Sequence, residues 1–186
     1  LIFLGTSIIN FINFMDGIDG LICGSMIIIF STLDGGFYNL SPLIGTLTAF
    51  LYFNWYPSKI FMGDAGSLFL GSYLVSLMYS SSNDFTSFFK ICLLCSPILM
   101  DAISCLFRRF INKKNIFNAH KSHLYQRLVS NGYKHSTVSI IYILAISTLS
   151  IFYLFSTTLN LFVASTVLFI LGIHVDRKYA LSFNET

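Results

Sequence analysis

Apolar residues run in long blocks along this chain, and polar residues interrupt them at a few short places. Seven blocks stand out, at 1–14, 18–33, 43–56, 67–79, 88–107, 137–155 and 159–175. They show neither the two-residue alternation of a half-buried strand nor the stripe of an amphipathic surface helix. The pattern therefore predicts helices that are apolar all round. The last three blocks approach the ~20 residues that a helix needs to cross a bilayer. The second, third and fourth are short: they complete a crossing only with their Gly, Ser and Thr neighbours, or one of them is re-entrant. The expected architecture is all-α, a polytopic transmembrane helical bundle of about seven spans in one membrane domain over residues 1–186, with one sizeable loop at 108–136.

Composition supports that reading. The 186 residues are 55% hydrophobic and 10% charged, with a mean hydropathy of +0.74, against the ~25% charged residues of an ordinary soluble domain. A transmembrane β-barrel is excluded by the missing alternation. Cys23, Cys92, Cys95 and Cys105 all lie in apolar blocks. Cys92 and Cys95 have the spacing of a redox or zinc pair, but lipid-like Ile91, Leu93 and Leu94 surround them, so they read as small buried hydrophobes. No secretory signal is evident, and the chain opens on Leu1 rather than Met, so it reads as beginning within a longer protein.

Charge sets the topology. The 108–136 loop holds Arg108, Arg109, Lys113, Lys114, Lys121, Arg127 and Lys134, which predicts a cytoplasmic location under the positive-inside rule. Alternating the seven crossings from that loop puts Lys59, Arg177 and Lys178 on the same side and leaves Lys90 on the other. Juxtamembrane cations of this kind orient helices and touch anionic lipid headgroups, so membrane lipids are expected as partners and nucleic acid is not. The same parity carries three polar clusters to the cytoplasmic side: 13–20, 59–67 and 120–123. Acidic and His residues were not used to set the topology, so their convergence independently suggests a shared site.

Each cluster admits a chemistry and a plainer alternative. Asn13, Asp16 and Asp19 offer hard oxygens; Asp16 and Asp19 would share a face on a helix, and Gly17 and Gly20 follow them. Such donors suit Mg²⁺, which takes one or two carboxylates plus substrate phosphates, although Asp-Gly pairs are also ordinary turn signals. Asp64 lies in Gly63-Asp64-Ala65-Gly66-Ser67, where a helix start with free N–H groups attracts phosphate. It is expected to hold the metal, a role compatible with capping the helix. His120 and His123 lie in a basic stretch with Lys121 and Arg127. Zinc would want further ligands nearby, so contact with phosphate or diphosphate fits better, beside the alternative of a solvated loop. Asp101, inside the fifth block, falls on one helix face with Arg108. A carboxylate in a span is paired or functional, so Asp101 is expected to face the interior, orienting a basic partner or lining the site, with Pro97 kinking the helix.

Three stretches together resemble a known family: Asn13-Phe14-Met15-Asp16-Gly17-Ile18-Asp19-Gly20-Leu21, Asn54-Trp55-Tyr56-Pro57-Ser58-Lys59-Ile60-Phe61-Met62-Gly63-Asp64-Ala65-Gly66-Ser67 and His120-Lys121-Ser122-His123-Leu124-Tyr125-Gln126-Arg127. They are similar to the polyprenyl-phosphate N-acetylhexosamine-1-phosphate transferases, glycosyltransferase family 4. That family includes the muramoyl-pentapeptide transferase of peptidoglycan synthesis and the transferases that start O-antigen and other polysaccharides. The resemblance extends through Asp101 and Arg108-Arg109. It implies a Mg²⁺-dependent enzyme, with Mn²⁺ as an alternative ion. Its substrates would be a UDP-N-acetylhexosamine and undecaprenyl (polyprenyl) phosphate, its product a lipid-linked diphosphate sugar, with UMP released. It places the protein in the bacterial inner membrane with its active site cytoplasmic, and leaves a homodimer open. By resemblance Asp64 is the metal ligand. Asp16, Asp19, Asp64, His120 and His123 are catalytic, and Asn13, Asn54, Lys59, Ser67, Asp101, Lys121 and Arg127 bind substrate.

The chain departs from the family in two ways. Family members are longer and carry an acidic pair in an earlier cytoplasmic loop, and no Asp-Asp pair occurs here. The chain thus resembles the C-terminal half of such an enzyme. The muramoyl-pentapeptide branch has three adjacent histidines where this chain has His-Lys-Ser-His, which points to the polysaccharide-initiating branch. Two other readings remain open from sequence: half of a transporter or channel with intramembrane carboxylates, and an inactive transferase fragment.

Overall fold

The computed structural model describes residues 2–34, 39–80, 84–113, 115 and 121–183. His120 lies outside the described residues. Among them the chain forms helices and no strand: α1 (Ile2–Met15), α2 (Leu21–Leu33), α3 (Ser41–Asn54), α4 (Gly63–Ser80), α5 (Phe85–Leu94), α6 (Ser96–Ile111), α7 (Leu124–Ser130), α8 (His135–Phe155) and α9 (Thr158–Tyr179).

The elements pass back and forth between two ends of one bundle. α1 packs along α4, and α2 sits between α3 and α8, while α9 lies against α5, α6 and α8. At one end short acidic caps turn the chain. Asp34 accepts from the Leu40 N–H (2.9 Å) and the Ser41 hydroxyl ahead of α3, and Asp84 accepts from the Thr86 and Ser87 N–H groups to start α5. The expected fifth span is not one straight helix. α5 and α6 are bent by 76° at Cys95, where Pro97, in the first turn of α6, cannot continue the hydrogen-bond ladder of the helix before it. With that pair counted as a single pass and the short α7 left aside, the helices of the described residues make seven passes.

α8 and α9 are long and apolar enough to cross a membrane, and the bent α5–α6 pair passes the same test when taken together. α1 and α2 are shorter apolar helices, each about 20 Å long at 1.5 Å per residue. The bundle turns apolar side chains outward as well as inward: Leu144, Ile151, Leu159 and Ile170 are all more than half exposed. An outer surface of this kind suits lipid as the solvent. Inside, polar groups pair between helices, as a membrane interior requires. Thr32 Oγ1 meets Ser150 Oγ at 2.6 Å, joining α2 to α8, and Ser165 Oγ meets Ser96 Oγ at 2.8 Å, joining α9 to α6. All four cysteines are free thiols, with Cys95 buried.

Helices enter the stretch expected as a loop at 108–136 from both sides. α6 continues to Ile111 and α8 begins at His135. Between them α7 tucks into the bundle, with Ser122, His123, Tyr125 and Leu128 all buried. Tyr125 reaches across to the end of α1, and its hydroxyl donates to the Phe14 carbonyl (2.9 Å). Gly17 makes that approach possible, because a Cβ there would lie 2.1 Å from the Tyr125 hydroxyl oxygen. Gly17→Ala is expected to destabilise the bundle by about 1–3 kcal/mol, the usual cost of overpacking. Thermal unfolding in detergent measures this, and Tyr125→Phe in the same background should recover part of the loss.

Candidate active site

The polar clusters at 13–20 and 59–67 and the described residues 121–123 lie at the end of the bundle opposite the acidic caps. Asp16 and Asp19 do not share a helix face, because α1 ends at Met15 and both lie in the turn to α2. Instead they face different neighbours. Asp16 approaches Asp64, at the start of α4. Burial first, and then the charge of Asp64, push the Asp16 carboxyl up to about 7. One helical turn before Asp16, Asn13 accepts a short hydrogen bond from Ser67, one turn into α4. Two helix ends more than forty residues apart in sequence thus place two carboxylates, an amide and a hydroxyl side by side. Asp64 itself is exposed.

Asp19 turns the other way. It is buried, accepts from both the backbone N–H (3.2 Å) and the hydroxyl (2.8 Å) of Ser58, and lies 3.4 Å from His135 Nδ1. Its backbone carbonyl accepts from Ser139 Oγ in α8. Asp19 therefore holds the 55–62 connection and the start of α8 against the start of α2. Asn54 does similar work. Its Oδ1 accepts from the Gly20 N–H (3.1 Å) and its Nδ2 donates to the Ile60 carbonyl (2.9 Å). Gly20 has φ +74°, a backbone conformation glycine favours, and a Cβ there would meet the Trp55 ring at 2.7 Å. Asn54, expected to contact substrate, is buried and both ends of its amide bind backbone. Lys59 and Lys121 are exposed at this end.

The imidazole cluster is built by Asp101. Its carboxylate accepts from the Leu124 N–H (2.8 Å), the Tyr125 N–H (3.4 Å) and the Tyr142 hydroxyl (2.6 Å), and its Oδ1 stands 3.7 Å from His123 Nδ1. It thus faces the interior as expected, but Arg108 is not its partner. Arg108 binds Asp176 in α9. The His123 ring stacks on Tyr125 (5.7 Å between centroids) and approaches Phe14 (6.5 Å), which brings it towards the turn that carries Asp16. Burial disfavours the charged imidazole, but hydrogen bonding and attraction from Asp101, helped by Cys105, outweigh it and raise His123 to about 9. Asp101 thus favours the protonated form of His123.

Arg127 departs from expectation. Its guanidinium binds Asp176 and the Leu181 carbonyl and is buried, so it ties α7 to α9 rather than reaching the acidic pair. Asp176, Tyr142, Ser58 and His135 were not singled out from sequence. Tyr142 lies inside an apolar block and Asp176 directly after the end of one, and those positions were the available signal.

The donor set fits Mg²⁺ better than a transition metal. Among the described residues no three His, Cys, Asp or Glu side chains converge on one point, as a zinc site would require. Two close carboxylates with an amide oxygen nearby suit a hard cation that keeps waters and takes substrate phosphates as further ligands. The repulsion between Asp16 and Asp64 is the interaction that such a cation relieves.

Comparison with known proteins agrees with this geometry. Residues 1–82 match glycosyl transferase family 4. The chain is 39% identical over 152 residues to a probable undecaprenyl-phosphate N-acetylglucosaminyl 1-phosphate transferase of Bacillus subtilis, covering 74% of this chain and 42% of that protein. It is 31% identical over 166 residues to a decaprenyl-phosphate N-acetylglucosaminephosphotransferase of Mycobacterium leprae, covering 73% of this chain and 42% of the relative. A phospho-N-acetylmuramoyl-pentapeptide-transferase of Bacteroides fragilis is 27% identical over 164 residues, or 75% and 38% of the two chains. The chain thus matches about two fifths of the length of these relatives.

The ion pair at His123 makes a pH prediction. A His whose pKa is raised by folding adds stability that is complete below about pH 6.5, its ordinary value, and is lost as pH rises through about 9. The expected loss, on the order of 3 kcal/mol, appears as a falling unfolding temperature between about pH 6 and pH 10. His123→Gln should flatten that slope.

Proposed function

We propose, since this chain belongs to glycosyl transferase family 4, that it carries the acidic and imidazole part of a Mg²⁺-dependent active site. The reaction is transfer of an N-acetylhexosamine-1-phosphate from a UDP-sugar to a polyprenyl phosphate. An oxygen of the lipid phosphate attacks the sugar-bearing phosphorus, a new P–O–P bridge forms, the bridge to the nucleotide breaks, and UMP leaves. The attacking oxygen is ionised at neutral pH, so no side chain has to remove a proton from it.

The observation that carries this reading is the meeting of Asp16 with Asp64 beside the Asn13–Ser67 pair, at the end of the bundle where the His123 ring approaches Phe14. Two anionic substrates repel one another, and a site that joins them needs positive charge where the phosphates meet. Bound Mg²⁺ would supply most of that charge and polarise the phosphoryl oxygens. Asp64 and Asp16 would hold it, with Asn13 next to them. His123, fixed by Asp101 through the start of α7, presents an N–H donor and a positive charge to a phosphate oxygen. Lys59 and Lys121, exposed at the same end, are placed to attract the nucleotide diphosphate. Asp19 and Asn54 act on substrate indirectly, by holding the 55–62 connection in place.

The gathering of these groups at one end of the bundle also argues against a transporter, which places its ionisable groups near the bilayer midplane. That end carries Arg109, Lys121, Lys134, Arg177 and Lys178 as well, and the positive-inside rule makes it the cytoplasmic face of a bacterial inner membrane. A start of lipid-linked glycan synthesis is the role proposed here.

The full-length protein, in membranes with Mg²⁺ and undecaprenyl phosphate, is expected to release UMP from UDP-N-acetylglucosamine or a related UDP-N-acetylhexosamine. Asp64→Asn should lower that rate by at least about a hundredfold, the scale of losing one electrostatic contact to a transition state. Unchanged turnover in the variant would remove the metal assignment. Cysteine labelling should reach positions 64 and 121 from the same side of the membrane.

A further inference from the structure

Away from the acidic pair, a cavity of about 400 Å³ opens between α6, α8 and α9. Its walls are mostly apolar, with Met100, Leu144, Leu168 and Phe169 among them. Its far end is closed by the bonded hydroxyls of Ser96 and Ser165. Gly172 lines it, and a Cβ built on Gly172 would find no atom within 4 Å. The other end of the cavity reaches Arg108, Arg127 and Asp176. Those three residues also line a shallower depression with Asn112, Arg177 and Ser182. The space is therefore amphipathic: an apolar shaft leads to a polar mouth where Arg108 and Arg127 bind Asp176 and Arg177 lines the rim.

An apolar void of this size left empty destabilises a bundle heavily, and water finds too few polar partners along such walls to fill it. Beside helices that cross a bilayer, the fluid at hand is acyl chain. The mouth selects the head: Asp176 fixes Arg108 and Arg127 side by side, leaving net positive charge with Arg177, and guanidinium groups bind phosphate oxygens well. None of Asn13, Asp16 and Asp64 lines either space. Asp101 lines the cavity but directs its oxygens to α7 and Tyr142. A phosphate at this mouth is therefore not presented to the acidic pair.

We propose that this cavity holds an acyl chain of an anionic phospholipid, with the lipid phosphate seated at Arg108, Arg177 and Asn112. The bound lipid fills the wedge between α6 and α9 and tightens the Asp176 link between α7 and α9.

The test uses the full-length protein, delipidated in detergent. Phosphatidylglycerol, phosphatidylcholine or undecaprenyl phosphate is added back, and native mass spectrometry and thermal unfolding are read without any activity measurement. Wild type should retain phosphatidylglycerol in preference to phosphatidylcholine and gain several degrees of thermal stability from it. Gly172→Leu, which fills the shaft, should lose both the retained lipid and the gain, and Arg177→Gln should lose the preference for the anionic head. Equal retention by Gly172→Leu would overturn the proposal. So would displacement of the phosphatidylglycerol by undecaprenyl phosphate, which would make the cavity an acceptor site. Failure of Gly172→Leu to fold, while Arg177→Gln folds and keeps wild-type lipid preference, would assign the shaft to a protein segment instead.

Discussion

One buried carboxylate joins the parts of this molecule that chemistry needs together. Asp101 sits well inside α6, yet it receives two backbone N–H groups from the first turn of α7 and the hydroxyl of Tyr142 from α8. A carboxylate at such a depth is costly unless its oxygens are satisfied. Here the partners that satisfy it are what pull α7 out of the loop and into the bundle. Once α7 is seated, Tyr125 reaches Phe14, His123 stands over the α1–α2 turn, and Arg127 and Asp176 lock α7 to α9. Removing the charge at Asp101 would free all of these together.

The acidic side of the site rests on the opposite situation. Asp16 and Asp64 come close enough for the charge of one to raise the pKa of the other, and that repulsion is left in the fold. A bundle tolerates such a conflict when a ligand resolves it, and two phosphate-bearing substrates with a divalent cation would do so. The neighbouring Asp19 differs because Ser58 and His135 satisfy it. Two aspartates three residues apart thus differ in their surroundings: Asp16 meets another carboxylate, while Asp19 holds the scaffold.

The two anchoring networks also explain how short helices keep the site in register. α2 and α3 are too short to be positioned by length alone. Instead, Asn54 bridges the start of α2 to the 55–62 connection, and Ser139 in α8 bonds the Asp19 carbonyl. Polar contacts concentrate at the end where substrates would meet, while hydroxyl pairs and apolar packing hold the rest.

The sequence by itself determined the class of the molecule: helices apolar on all sides, a basic end, and acidic and imidazole clusters carried to that end by the parity of the passes. Hydrophobic block length and charge placement depend on solvent, not on packing partners, so they are readable residue by residue. The motif residues around Asp16, Asp64 and His123 could be recognised for the same reason, since each is a local run. Only the tertiary structure decided which of them have their polar atoms taken up inside the bundle. Asn54 and Arg127 carry the same chemistry as groups that bind phosphate, but backbone carbonyls and Asp176 occupy them. Asp176 and Tyr142 acquire their roles from contacts made across 41 or more residues of chain. The bend at Cys95 was hinted at by Pro97, but its 76° angle is set by how α5 and α6 pack on α9. Long-range pairing of this kind has no local pattern in the chain, because which polar groups satisfy each other depends on which helices become neighbours.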